Sequence, residues 1–290
     1  MNNSILYVIT VLIWGSTWLA IEYQLGVVEP EVSIAYRYAT AALLLFVWCR
    51  LRGLSLRFGV KDHVYFVLLG LLLFCLNYIF AYRAQVHITS ALAAIAFSTM
   101  LWMNIILSRI IFGTRITLHV LAGALLGIVG IVVLFAPQIE SIAVTDSVFF
   151  GSVLALAGAL TASFGNMLSQ SAQKRQLPVV ETNTGGMFYG AILTGIVALA
   201  SGHEFNFDAT FTYISSLAYL AIFGSVIAFG AYLTLLGRIG AHKAGYVTVM
   251  FPVVAVILSV AFEGMQLTGT IVTGTALVLL GNLLILKKDA

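Results

Sequence analysis

The sequence predicts an all-α integral membrane protein of ten transmembrane helices, arranged as two inverted five-helix repeats around a central cavity. Three observations carry this expectation: composition, block length, and the alternation of charge from one connector to the next. Of 290 residues, 61% are hydrophobic and 9% are charged, against about 25% charged in ordinary globular domains. Fourteen Lys+Arg and 11 Asp+Glu residues are too few to keep a surface of this size in water. The same figures exclude a disordered chain, and two cysteines exclude a secreted disulfide scaffold. A net charge of +3 is too small to imply a nucleic-acid partner. The expected partners are a lipid bilayer and a small-molecule substrate.

Ten apolar blocks run approximately over 4–22, 32–50, 63–82, 90–112, 117–135, 148–170, 180–201, 212–236, 242–262 and 267–286. Each is near the 20 residues that an α-helix needs to cross roughly 30 Å of hydrocarbon. Membrane strands would instead show about 10 residues of alternating polarity. The connectors are short, so the expected units are a first repeat at 1–137, a connector at 138–146 and a second repeat at 147–290. Met1-Asn2-Asn3 brings no basic residue and no A-x-A site closes the first block, so this block is not expected to be a cleaved signal. Cys49 and Cys75 fall inside blocks and read as small buried hydrophobes. C-x-x-C, H-E-x-x-H, G-x-x-x-x-G-K-[ST] and G-x-S-x-G patterns are all missing, so neither a cofactor nor an enzymatic activity is expected. His63, His87, His119, His203 and His242 fall at or near block ends and read as interfacial.

Charge supplies the orientation. With the blocks numbered one to ten, connector two–three holds Arg50, Arg52, Arg57 and Lys61. Connector four–five holds Arg109 and Arg115, six–seven Lys174 and Arg175, eight–nine Arg238 and Lys243, and the tail Lys287 and Lys288. That places 12 of 14 basic residues on one side. The opposite connectors carry Glu22, Glu29, Glu31, Glu140, Asp146, Glu204, Asp208 and Glu263. Basic connectors stay in the cytoplasm, so both termini are expected there.

A shift of 151 residues lays 93–136 on 244–287. Identities include Ala93/Ala244, Ser108/Ser259, Gly113/Gly264, Thr117/Thr268, Gly123/Gly274 and Gly130/Gly281. The glycine pairs are the most telling, because glycines mark where helices approach closely. A repeat of five helices starts its second copy on the opposite side of the membrane, so the two copies are inverted. Inverted repeats place a binding site near the bilayer midplane and permit alternating access.

Several segments resemble one known family. Trp14-Gly15-Ser16 in block one is similar to its Trp-Gly-Ser motif, and Arg37 stands early in block two as it does there. Ala81–Ala93 (AYRAQVHITSALA) and Tyr232–Ala244 (YLTLLGRIGAHKA) resemble its paired segments between helices three and four and between eight and nine. Met250-Phe251-Pro252-Val253 resembles its helix-nine proline motif. Phe112–Thr117 and Gly123–Gly130 resemble the close of its first repeat. The chain thus resembles the drug/metabolite transporter superfamily, in its ten-helix EamA-type permeases. It departs at Thr114 and Met265, where the family often has Glu, and at Leu101, which stands where the first-half proline would be. The resemblance implies a carrier of the bacterial inner membrane that exports amino acids, aromatic ones included, or other small metabolites. Nucleotide-sugar and sugar-phosphate carriers are also among such relatives.

A solute path requires polar and aromatic groups at membrane depth, which are otherwise costly there. Block one offers Trp14 and Trp18; block three offers Asn77, Ala81 and Gln85 on one stripe with Tyr78 and Tyr82 beside it. Block four offers Ser98 and Trp102. Block six offers Ser163, Asn166 and Gln170, block eight Ser225, Phe229 and Tyr232, and block nine Tyr246. Trp14, Asn77, Tyr78, Ser98, Trp102, Asn166, Phe229 and Tyr246 are the expected substrate contacts. Trp18, Tyr82 and Tyr232 read equally well as interface markers. Arg37 is the buried-charge candidate, open to pairing with Glu22 or Glu31 or to contact with a substrate carboxylate. Pro252 cannot donate to the Thr248 carbonyl and should kink block nine. The leading function is secondary export of amphipathic metabolites, foremost amino acids, by a monomer or weak dimer. A phosphate-carrying antiporter would need several deep cations. A membrane enzyme would need converging acids, ligands or a nucleophile, and a scaffold would need no path at all.

Overall fold

A computed structural model describes residues 1–134, 136, 145–262 and 268–286. Glu140, Glu263, Lys287 and Lys288, on which part of the charge tally rests, lie outside the described residues. The described residues form ten helical spans. They are α1 (Asn3–Glu22), α2 (Pro30–Leu51), α3 (Val60–His87), α4 (Ser90–Ser98 and Met100–Phe112) and α5 (Leu118–Leu134). The second half repeats the count with α6 (Asp146–Lys174), α7 (Val179–Ala200), α8 (Phe211–Ile239), α9 (Tyr246–Phe262) and α10 (Gly269–Leu286). Seven of these are long and apolar enough to cross a membrane, and α5 and α10 are shorter apolar helices.

Local chemistry starts and stops the spans. Pro30 opens α2, where its missing N–H would have been unpaired in any case. The Thr145 and Thr210 hydroxyls accept from the backbone N–H groups of Val148 and Tyr213 and cap α6 and α8. Gly113 ends α4 in the left-handed region at φ 66°, which a side chain would disfavour.

Polarity runs opposite to that of a soluble protein. Leu43, Ile110, Phe149, Leu199 and Leu283 are exposed, whereas Thr10, Arg37, Asn104, Ser163 and Asn166 are buried. Lipid solvates the outer surface, so polar groups turn inward where they find partners.

The two halves exchange partners. The helix α1 packs on α8 as α6 packs on α3; α1 packs on α9 as α6 packs on α4; α2 packs on α8 as α7 packs on α3. The pairs α2·α7 and α5·α10 join each helix to its own counterpart. Every one of these contacts maps onto another, or onto itself, when the halves are swapped. This is the pattern that a pseudo-two-fold axis produces.

Two spans are not regular α-helix. A π-helical stretch, Gly70–Leu76, interrupts α3, and a second, Leu220–Ile227, interrupts α8. The 151-residue shift carries the first onto 221–227, so the irregularity belongs to the repeat. At its start, Gly70 lies against Gly186 and Gly190 of α7, where a Cβ would come within 2.9 Å of backbone. The G-x-x-x-G of α7 therefore serves an approach between helices.

Candidate substrate cavity

A cavity of about 60 Å³ is enclosed by six helices, three from each half. Trp14, Thr17, Trp18 and Ile21 come from α1; Leu73, Asn77, Tyr78 and Ala81 from α3; Phe97 and Met100 from α4. The counterpart helices supply Ala162 and Asn166 (α6), Phe229 and Tyr232 (α8), and Thr248 and Phe251 (α9). The helices α2, α5, α7 and α10 stand behind this wall.

The wall is largely aromatic. Trp14 lies 4.8 Å from Phe229, 4.8 Å from Tyr232 and 6.0 Å from Phe251, centroid to centroid. Trp18 meets Phe97 at 5.0 Å. Edge-on contacts of this kind are favourable for rings with a negative face and positive edge. The Trp14 indole N–H donates to the Gly224 carbonyl at 3.0 Å, inside the α8 π-helical stretch. The three residues Trp14-Gly15-Ser16 thereby acquire separate tasks. Trp14 faces the cavity, Gly15 leaves room for Val254 of α9 at 2.6 Å from where a Cβ would stand, and the Ser16 hydroxyl meets that of Tyr219 at 2.6 Å.

Polar groups in the wall are neutral. Asn166 Nδ2 donates to Asn104 Oδ1 at 3.4 Å, and Asn77 Nδ2 donates to the Leu73 carbonyl at 3.3 Å, leaving its Oδ1 without a partner. Thr248, whose carbonyl the buried Pro252 leaves without an i+4 donor, lines the cavity beside Phe251.

Of the expected contacts, Trp14, Asn77, Tyr78, Asn166 and Phe229 line the cavity; Ser98, Trp102 and Tyr246 do not. The helix α4 turns at Thr99 between its two segments. That break shifts the i, i+4 stripe, so Phe97 and Met100 take the lining positions. Ser98 is turned back onto the Ile95 carbonyl at 2.6 Å, and Trp102 is half-buried outside the lining. Tyr246 points the other way, donating to the Val278 carbonyl at 2.8 Å in the α5·α10 seam. Trp18 and Tyr232, which read equally well as interface markers, are in the lining. Ala81 stood on the Asn77 stripe, Phe251 in the helix-nine proline motif and Thr248 one turn before Pro252, whereas Thr17, Ile21, Leu73, Phe97, Met100 and Ala162 carried no separate sequence signal.

Charged groups gather behind one end of the cavity. Arg83 of α3 grips Glu31 with both prongs, Nε to Oε1 at 2.8 Å and Nη2 to Oε2 at 2.7 Å. Glu29 lies 3.5 Å from the same Nη2, and His203 Nε2 lies 3.7 Å from Glu31 Oε2. Glu29, Glu31 and His203 could together face a cation, but the Arg83 guanidinium already fills that role. Arg37 is fully buried and its contacts are hydroxyls. Nε donates to Ser225 Oγ at 2.9 Å, Nη2 to Tyr78 Oη at 3.4 Å and Nη1 to Tyr82 Oη at 3.5 Å. The pairing with Glu22 or Glu31 that the sequence left open is not among them, because Glu31 is taken by Arg83.

Ten helices closing on a central cavity, with matched contributions from two inverted halves, define a multi-pass membrane transporter. The EamA-like transporter family matches residues 2–136 and 149–287, and the chain belongs to that family. It is 28% identical to the inner membrane transporter YedA of Escherichia coli (strain K12), over 96% of this chain and 90% of that protein. It is 25% identical to the protein PagO of Salmonella typhimurium (strain LT2), over 89% and 84%. It is 22% identical to a probable amino-acid metabolite efflux pump of E. coli (strain K12), over 97% and 93%. A crystal structure at 19% identity superposes with a TM-score of 0.78 over 98% of this chain and 96% of the other, which matches the fold.

Proposed function

We propose that this protein is a secondary carrier that exports small amphipathic metabolites, amino acids with apolar or aromatic side chains foremost, across an inner membrane by alternating access. The observation that carries this reading is the cavity wall, in which aromatic rings from both halves surround neutral amide and hydroxyl groups. Rings favour an apolar side chain, and neutral hydrogen-bonding groups hold a polar head without demanding a fixed charge. The efflux-pump relative supports the same class of solute. At about 60 Å³ the cavity is well below ordinary ligand pockets of about 300–1,000 Å³. A solute of amino-acid size therefore requires the aromatic walls to separate. Basic connectors at one end support an orientation with both termini in the cytoplasm. The test is purified protein in liposomes, screened with amino acids with and without a pH gradient. Flux of aromatic or branched solutes above empty liposomes is expected; no flux of any amino acid would reject the reading.

A further inference from the structure

Arg37 presents a problem of hydrogen-bond satisfaction. A guanidinium carries five N–H donors, and three oxygens meet it, two of them at 3.4 and 3.5 Å. Those oxygens have little else to give. Ser225 Oγ spends its proton on the Leu220 carbonyl at 2.9 Å, a five-residue step that the π-helical stretch makes possible. Tyr82 Oη spends its proton on Gln24 Oε1 at 2.9 Å. Gln24 is itself buried, and its Nε2 has no partner. Two guanidinium N–H groups and the Gln24 amide N–H pair are thus left over in one fully buried nest. The nest holds a full positive charge, and no carboxylate is among its contacts in the described residues. Burying an arginine in a membrane helix is costly, and an excess of donors beside an unbalanced charge is a site shaped for an anion.

The nest adjoins the cavity. Tyr78 separates them, with one face 4.5 Å from the Arg37 guanidinium carbon and its side chain in the cavity lining. Gly224, whose carbonyl holds Trp14, brings backbone up to the guanidinium; a Cβ there would lie 3.2 Å from Nη2. Rotation of Tyr78 away from Arg37 would put Nη2 on the cavity surface.

We propose that Arg37 and Gln24, with Tyr78 as a shutter, form the recognition site for the carboxylate of the transported solute. The solute class is then an amphipathic monocarboxylate, zwitterionic amino acids included, with its apolar part against Trp14, Phe229 and Phe251. This rests on the transporter reading and narrows it. A dianionic phosphate is a poor fit, because the nest holds one cation.

The test is a pair of isosteres, 3-phenylpropionate and 3-phenylpropionamide, titrated into purified protein and followed by tryptophan fluorescence, for which Trp14 and Trp18 are placed in the wall. Hydrogen bonds to a charged group imply that the wild type binds the carboxylate about 10- to 100-fold more tightly than the amide. Arg37→Met should remove that preference while leaving amide binding, and Arg37→Lys should keep part of it. Gln24→Leu, which keeps the arginine in place, should weaken carboxylate binding alone. Equal binding of the two isosteres by the wild type would overturn the proposal, even if Arg37→Met failed to fold. So would a preference that persists in Arg37→Met. Amino-acid flux without an isostere preference would reject this inference and keep the transporter reading. An Arg37-dependent preference without amino-acid flux would do the reverse.

Discussion

Gly123 of α5 lies against Gly281 of α10: a Cβ on Gly123 would come within 2.6 Å of the Gly281 carbonyl oxygen, and one on Gly281 within 2.5 Å of the Gly123 carbonyl oxygen. Gly130 and Gly274 stand in the same relation, at 2.8 and 2.7 Å. The 151-residue shift turns Gly123 into Gly274 and Gly130 into Gly281. Each contact is therefore the image of the other, and the two helices cross antiparallel. Gly127 completes the seam by making room for the Tyr246 hydroxyl. The substitution Gly123→Leu should destabilise the protein by about 1–3 kcal/mol through overpacking, seen as a lower melting temperature in detergent. An unchanged melting temperature would show that α5 and α10 do not meet there.

Trp14 anchors the cavity wall. Loss of its ring contacts should weaken binding of aromatic solutes by roughly 2- to 13-fold, from about 0.5–1.5 kcal/mol per aromatic pair. Trp14→Ala should therefore reduce flux of a Phe-like solute at low concentration, with protein still reaching the membrane. Trp102→Ala, outside the lining, should have the smaller effect. The opposite order in a flux assay would move the site toward the Trp102 segment of α4.

The two-pronged Arg83–Glu31 pair should show coupling in a double-mutant cycle. Arg83→Gln leaves a buried Glu31 short of its strongest partner and should cost about 1–3 kcal/mol. Adding Glu31→Gln removes the stranded charge and should recover part of the loss. Thermal melts of the four proteins measure it; strictly additive losses would mean that the pair contributes nothing.

Orientation is open to labelling. Cys49 and Cys75 are buried, so an introduced cysteine gives a clean signal. In intact cells an impermeant maleimide should reach Asp208→Cys and not Arg57→Cys. The reverse result would invert the proposed topology.

Proton coupling should be loose. A relay requires an ionisable group in the path, and Glu29, Glu31 and His203 gather behind one end of the cavity while its lining carries no acid or histidine among the described residues. Substrate gradients in liposomes should not drive proton movement at a fixed stoichiometry, as a pH-sensitive dye would report.

Much of the fold could be read from the chain because block length is a direct consequence of bilayer thickness. The glycine pairs at 123/274 and 130/281 revealed the repeat because close helix approach tolerates few other residues. What stayed hidden involved relations between helices. Gly70–Leu76 (GLLLFCL) is apolar on every side, so a π-helical step leaves no mark on its periodicity. The turn at Thr99 displaced Ser98 and Trp102 from the wall that their spacing implied. Arg37 was visible as an unusual charge, but its hydroxyl partners come from α3 and α8, beyond any local spacing rule.

The paired π-helical stretches have an energetic consequence. Each half carries one irregular span, at positions that the 151-residue shift relates, where α3 and α8 border the cavity. If the carrier works by alternating access as proposed, widening toward either face starts from an equivalent wide-turn span. On the proposed carrier reading, the two matched spans would let the protein behave as a nearly balanced turnstile, with release or exchange decided by the concentrations on either side.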